Sequence, residues 1–143
     1  MGRISDLVSL IKRNVETVKN LVERHGVDDL INDYVLLNAV LHMLQTSIQA
    51  LIDIGSIILS QYPYKPPSTY SEIPSLLSEV DALSSGEADV FRRMIGFSNV
   101  VVHQYSEVSL DLLRKILEHS LYTDMLRIAL RLYEFSLSRG IDC

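Results

Sequence analysis

The sequence predicts an all-α fold, an up-and-down bundle of four or five helices, from three features of the chain. Apolar residues recur at intervals of three and four along almost its whole length, the spacing of one helix face. Helix breakers are sparse, six Gly and four Pro in 143 residues, and three of the prolines crowd together at positions 63, 66 and 67. Strand-like sequence is confined to Val100–Val101–Val102, too short to build a sheet. With 48% hydrophobic and 22% charged residues, one compact domain spanning residues 1–143 is expected.

The elements follow in order. Ile4, Leu7, Val8, Ile11, Val15, Val18, Leu21 and Val22 line one side of a first helix, with Lys12, Arg13, Glu16 and Lys19 facing away. His25–Gly26 closes it, since glycine readily takes a cap conformation denied to other residues. Asp28 or Asp29 then caps a second, longer helix predicted to run to about Gln61, where Pro63, Pro66 and Pro67 make the only substantial loop. A short helix is predicted over Ser71 to Asp81, with Pro74 acceptable because it falls in the first turn. Ser84 and Glu87 have capping-box spacing and open a fourth helix through His103. Ser109 and Asp111 open a last helical stretch to about Ser138, before Gly140, with a break expected near His119–Ser120.

Charge and composition narrow the function classes. Thirteen basic against eighteen acidic residues give a net charge of −5, which opposes general coating of nucleic acid but not a small local site for RNA or a nucleotide. The one cysteine, Cys143, supports neither an internal disulfide nor a thiolate metal site. The four histidines, at 25, 42, 103 and 119, are scattered without metal-ligand spacing, and no cofactor motif is present. Met1 to Asp6 lacks the apolar core of a leader. Val35 to Leu59 is apolar enough to raise the membrane question, yet it carries Asn38, His42, Gln45, Gln49 and Asp53, all expensive in lipid. A buried helix in a cytoplasmic protein, without membrane contact, is expected. Tyr62, Tyr64 and Tyr70 among the loop prolines read as a self-packed loop, and Arg114, Lys115, Arg127, Arg131 and Arg139 as a solvated face.

One stripe of the second helix stands out. Asn38, His42, Gln45, Gln49, Asp53, Ser56 and Ser60 line a single face, and no Lys, Arg or Glu occurs between Arg24 and Lys65. Solvated faces favour Lys and Glu; uncharged polar groups suit a half-buried subunit interface or groove floor, with Asp53 its only charge.

The segment Phe91–Arg92–Arg93–Met94–Ile95–Gly96–Phe97–Ser98–Asn99–Val100–Val101–Val102–His103–Gln104–Tyr105 resembles the signature of the HEPN superfamily, and more closely its HepT-like branch, found beside minimal nucleotidyltransferases (MNT) in prokaryotic toxin–antitoxin modules. The likeness extends back through Pro67–Ser68–Thr69–Tyr70–Ser71–Glu72 and Ala50–Leu51–Ile52–Asp53–Ile54, covering about Tyr34 to Phe135. The family signature is an Arg, four to six residues, His, one residue, then Tyr. His103 and Tyr105 fit, Asn99 matches the polar residue after the Arg, and the Arg position itself, 98, holds Ser.

The resemblance implies a homodimer in which two motifs meet across a cleft and form a metal-independent endoribonuclease. His103 would transfer protons, Asn99 contact phosphate or ribose, Ser98 stand in for the Arg, and Asp53 orient from the second helix. It also implies that Tyr105 accepts AMP from the partner nucleotidyltransferase, which silences the toxin. Gly96, Asn99 and His103 share one helix face, and Arg92 lies on it too, about 16 Å before His103. A second reading stays open beside the nuclease: a non-catalytic HEPN module that partners a nucleotidyltransferase and is AMPylated on Tyr105.

Overall fold

The computed structural model describes residues 2–63, 66–103 and 107–141, and the side chains of those outside 101–109. Among the described residues there are seven helices and no strand: α1 (Arg3–His25), α2 (Val27–Asn32), α3 (Tyr34–Leu59), α4 (Glu72–Glu79), α5 (Ser85–His103), α6 (Glu107–Glu118) and α7 (Thr123–Ser138). The all-α expectation stands, and the boundaries of α1, α4 and α5 lie close to those the sequence predicts.

One element differs. The second helix, expected to be continuous from Asp28 to Gln61, is broken at Asp33 into α2 and α3. Asp33 adopts an extended conformation, φ −98° and ψ 114°, and its carboxylate accepts from the Leu36 N–H at 3.0 Å. Asn32 and Asp33 are weak helix formers whose short polar side chains compete for backbone groups, so the chain restarts there with a new N-cap instead of continuing. The last helical stretch is also split, as expected near His119–Ser120, though α6 opens at Glu107. Ser120 takes φ +54°, and the Leu121 N–H returns to the Ile116 carbonyl at 2.9 Å, a Schellman closure.

The core is built around α3, which packs against α1, α2, α4, α5 and α7. Its 26 residues are long and apolar enough to cross a membrane by length and composition. Here Leu44, Leu51, Ile54 and Ile58 are instead at or below 2% exposure, inside one continuous apolar cluster with Ile4, Ile11 and Val18 of α1, Phe91 of α5, Leu113 of α6 and Leu132 of α7. Burial of each such side chain is worth about 1.5–3 kcal/mol, which is why the most apolar helix takes the centre.

Two features set how its neighbours sit. A Cβ placed on Gly55 would stand 2.7 Å from the Ile73 Cγ2 and 3.1 Å from the Leu77 Cδ1, so α4 approaches α3 through a gap that only glycine leaves. On the α1 side, the Asn14 amide donates to Thr46 Oγ1 and Ser47 Oγ, each at 3.0 Å, and to the Met43 carbonyl at 3.2 Å. Ser47 is fully buried, so that amide fixes the pairing of α1 with α3. At the entry to α4, the Ser68 N–H and hydroxyl donate to the Glu72 carboxylate, which holds that carboxyl below its ordinary range.

Gly55→Ala is expected to lose about 1–2 kcal/mol, because overpacking against the branched Ile73 outweighs the better helix propensity of alanine, and Gly55→Val more. Denaturant unfolding midpoints at constant slope will measure both. Asn14→Ala is expected to lose about 1–3 kcal/mol by stranding the buried Ser47 hydroxyl. The Asn14→Ala/Ser47→Ala double variant should lose less than the sum of the two single changes, read in the same unfolding experiment.

Candidate functional site

Helix α5 carries the motif segment, and its start is fixed by a reciprocal cap. The Glu87 N–H donates to Ser84 Oγ at 3.1 Å, and the Ser84 N–H donates to Glu87 Oε1 at 2.8 Å, the capping box the spacing predicts. Ala88, Phe91 and Ile95 are buried against the core, which orients the helix about its axis. Arg92, Gly96, Asn99 and Val100 are consequently turned outward. A Cβ on Gly96 would meet nothing within 4 Å, so among the described residues no part of the chain approaches the helix closely there.

Ser98 does not share the strip. It is half-buried, about 100° around the helix from Asn99, on the side of the buried Phe91. His103 is the last residue of α5, four residues after Asn99, with its side chain outside the description; Tyr105 lies outside the described residues. The structure thus joins Asn99 and Gly96 on one face and separates Ser98 from both.

Arg92 is engaged within its own chain. One guanidinium nitrogen donates to Asp89 Oδ1 at 2.6 Å and another to Ser75 Oγ at 2.7 Å, tying α5 to α4. It is not a free cation positioned toward the end of α5.

The polar stripe of α3 lies at the surface of the chain. His42, Gln49, Ser56 and Ser60 are exposed, and Asn38, Gln45 and Asp53 half-buried. Several of its groups are satisfied along the helix itself: Gln49 Nε2 donates to Asp53 Oδ1 at 3.0 Å, Asn38 Nδ2 to the Tyr34 carbonyl at 2.7 Å, and Ser60 Oγ to the Ile57 carbonyl at 2.6 Å. Asp53 is therefore held by its own helix, with no cation bound to it among the described residues. Next to the stripe, at the start of α3, Tyr34 and Val35 are 81% and 73% exposed. Among the described residues no group of three His, Cys, Asp or Glu could hold a metal ion.

What sequence reasoning missed is a concave site on the other flank of α5. There α3, α5, α6 and α7 enclose a cleft of about 280 Å³ lined chiefly by apolar side chains, with Arg93 and Lys115 among its walls. The residues that wall it come from four separate helices, and only the interval at Ser120 hints that the chain folds back over it.

The family described as "Ribonuclease HepT-like" matches residues 11–132, so the chain belongs to the HepT-like family. The mRNA nuclease HepT of Shewanella oneidensis is 26% identical over 117 residues, covering 78% of this chain and 88% of the relative. Among solved structures, the tri-AMPylated HEPN toxin of Shewanella oneidensis in complex with its MNT antitoxin superposes with a TM-score of 0.82 at 24% identity, covering 94% of this chain and 99% of that one. A tyrosine-to-alanine mutant of an MntA–HpeT toxin–antitoxin complex superposes with a TM-score of 0.81 at 22% identity, covering 92% of this chain and 98% of that one. These likenesses confirm the fold and the family that the motif segment suggests.

Because Arg92 bridges Asp89 and Ser75 at an exposed site, Arg92→Ala and Ser75→Ala are each expected to cost less than about 1 kcal/mol. The combined variant should cost no more than the Arg92 change alone, measured by chemical unfolding.

Proposed function

We propose that the chain is the toxin-type member of an MNT/HEPN pair, a homodimer whose two α5 strips form an RNA-cleaving cleft in the cytoplasm, with residues 1–143 making one HepT-like domain. The observation that carries this is the exposed strip of Gly96 and Asn99, uncovered by any described residue and leading to His103 on the helix that the family match spans. The likeness to an mRNA nuclease supports RNA as substrate, and the toxin–antitoxin complexes among the structural relatives support a nucleotidyltransferase antitoxin as partner.

The chemistry needs no metal. A ribose 2′-oxygen attacks the adjacent phosphorus while its proton passes to a base; the phosphorus–5′-oxygen bond breaks, and that oxygen takes up a proton. The imidazole of His103 is the group suited to serve both transfers across two subunits. Asn99 contributes a neutral donor to a phosphoryl or ribose oxygen. Asp53 acts as a positioning acid from α3. Ser98 offers one hydroxyl where an Arg would place a fixed cation against the charge growing on phosphorus, a loss on the order of a hundredfold or more in rate. The expected enzyme is slow.

That same residue favours a second reading, in which the chain is a non-catalytic HEPN module recognised by the nucleotidyltransferase. In either reading Tyr105 is the AMP acceptor: its phenol oxygen attacks the α-phosphorus of ATP, pyrophosphate leaves, and the phenolic proton goes to a base of the transferase.

Incubation of purified chain with mRNA and tRNA decides between the two. Slow cleavage that falls at least a hundredfold in His103→Ala, rises on the order of a hundredfold in Ser98→Arg and is unmoved in Arg92→Ala is the expected result. Silence in the wild type with activity only in Ser98→Arg establishes the non-catalytic module. Mass spectrometry after mixing with the neighbouring nucleotidyltransferase and ATP is expected to show AMP on Tyr105, absent from Tyr105→Phe.

A further inference from the structure

We propose that the cleft between α5, α6 and α7 is a binding site for a small aliphatic carboxylate, its chain seated among the apolar walls and its head group at Arg93 and Lys115. The cleft lies on the flank of α5 opposite Asn99, so it is separate from the RNA-cleaving strip and does not depend on it. Its floor is Leu44 and Ile48 of α3, and its walls include Met94 and Phe97 of α5, Ile116 of α6 and Met125 of α7. Two of the large apolar side chains left exposed by the fold, Leu112 at 36% and Leu121 at 45%, stand at this same cleft. Apolar surface left to water around a concave apolar floor is the signature of a ligand site rather than of a scattered surface leucine.

The cleft is built by a specific backbone device. Ser120 in the left-handed region turns the chain after α6, the Leu121 N–H returns to Ile116, and Leu121 and Tyr122 are brought into the lining of the cleft.

Charge selects the head group. Among the described residues Arg93 and Lys115 have no ion-pair partner, whereas Asp124, the acid among the lining residues, is held by Arg127. Two unpaired cations beside an apolar hollow complement one anionic group with an apolar body. The body is aliphatic rather than a nucleobase, because the ring nitrogens and exocyclic groups of a purine would be buried there with few polar partners. Size agrees: about 280 Å³, at roughly 30 Å³ for each water-sized group, accommodates a chain of about eight to ten carbons.

Calorimetric titration of the full chain with hexanoate, octanoate and decanoate, each below its micellar concentration, tests the site. Affinity is expected to rise about two- to fourfold for every methylene added. Arg93→Gln/Lys115→Gln, both exposed positions, should weaken octanoate about tenfold or more while leaving octanol unmoved. Leu112→Asp should weaken octanoate and octanol together. Absence of saturable binding at millimolar octanoate, equal affinity of the double variant for octanoate, or AMP binding in place of the acyl chain would overturn the proposal. So would an apparent affinity that falls as protein concentration rises, because the cleft would then be covered by a second copy.

Discussion

The packing of α3 against five other helices is the constraint from which the remaining structure follows. A helix this apolar gains most by covering its non-polar side chains, and α1, α4, α5 and α7 each pack against it. The contacts are not interchangeable. Gly55 lets α4 come closer than any side chain would allow, and the amide of Asn14 locks α1 to the one buried hydroxyl of α3. With α4 fixed, the Ser75 bond to Arg92 and the inward face of Phe91 and Ile95 set the rotation of α5, and so decide which of its residues look outward.

Much of this was legible in the chain. The period of Ile4 to Val22, the box of Ser84 and Glu87, and the placement of Pro74 in a first turn each state a local rule that packing does not contradict. Family membership was legible from His103, Asn99 and their neighbours. What was not legible depends on contacts distant in sequence. The interruption at Asp33 looked like one polar residue among several in a long apolar run, and only the capture of the Leu36 N–H shows it to be a restart. The inward turn of Ser98 depends on which arc of α5 the core claims. The cleft beside Met94 and Phe97 needs four helices to exist at all. A glycine amid large apolar residues, Gly55, was a readable signal of close helix approach that the pattern of periodicity did not single out.

The outer faces of α3 and α5 share an economy of charge. Gly96, Asn99 and Val100 on one, and Gln45, Gln49 and Ser56 on the other, are small or polar without net charge, and the acid among them, Asp53, is already engaged by Gln49. A surface of this kind can be covered by another protein or by a ribose-phosphate backbone without stranding a full ionic charge. The arginine next to it is withdrawn into contacts with Asp89 and Ser75, leaving the strip itself uncharged.

The bend at Asp33 matters for the dimensions of the molecule. An unbroken rod over residues 27–59 would measure about 50 Å at 1.5 Å per residue, against about 35 Å for the 23-residue α1 beside it. The overhang would stand alone in solvent with Leu30 uncovered. Folded back, the short α2 buries Leu30 and brings Asp28 within reach of Arg114 on α6, so that one end of the bundle is closed by a piece of its own longest helix.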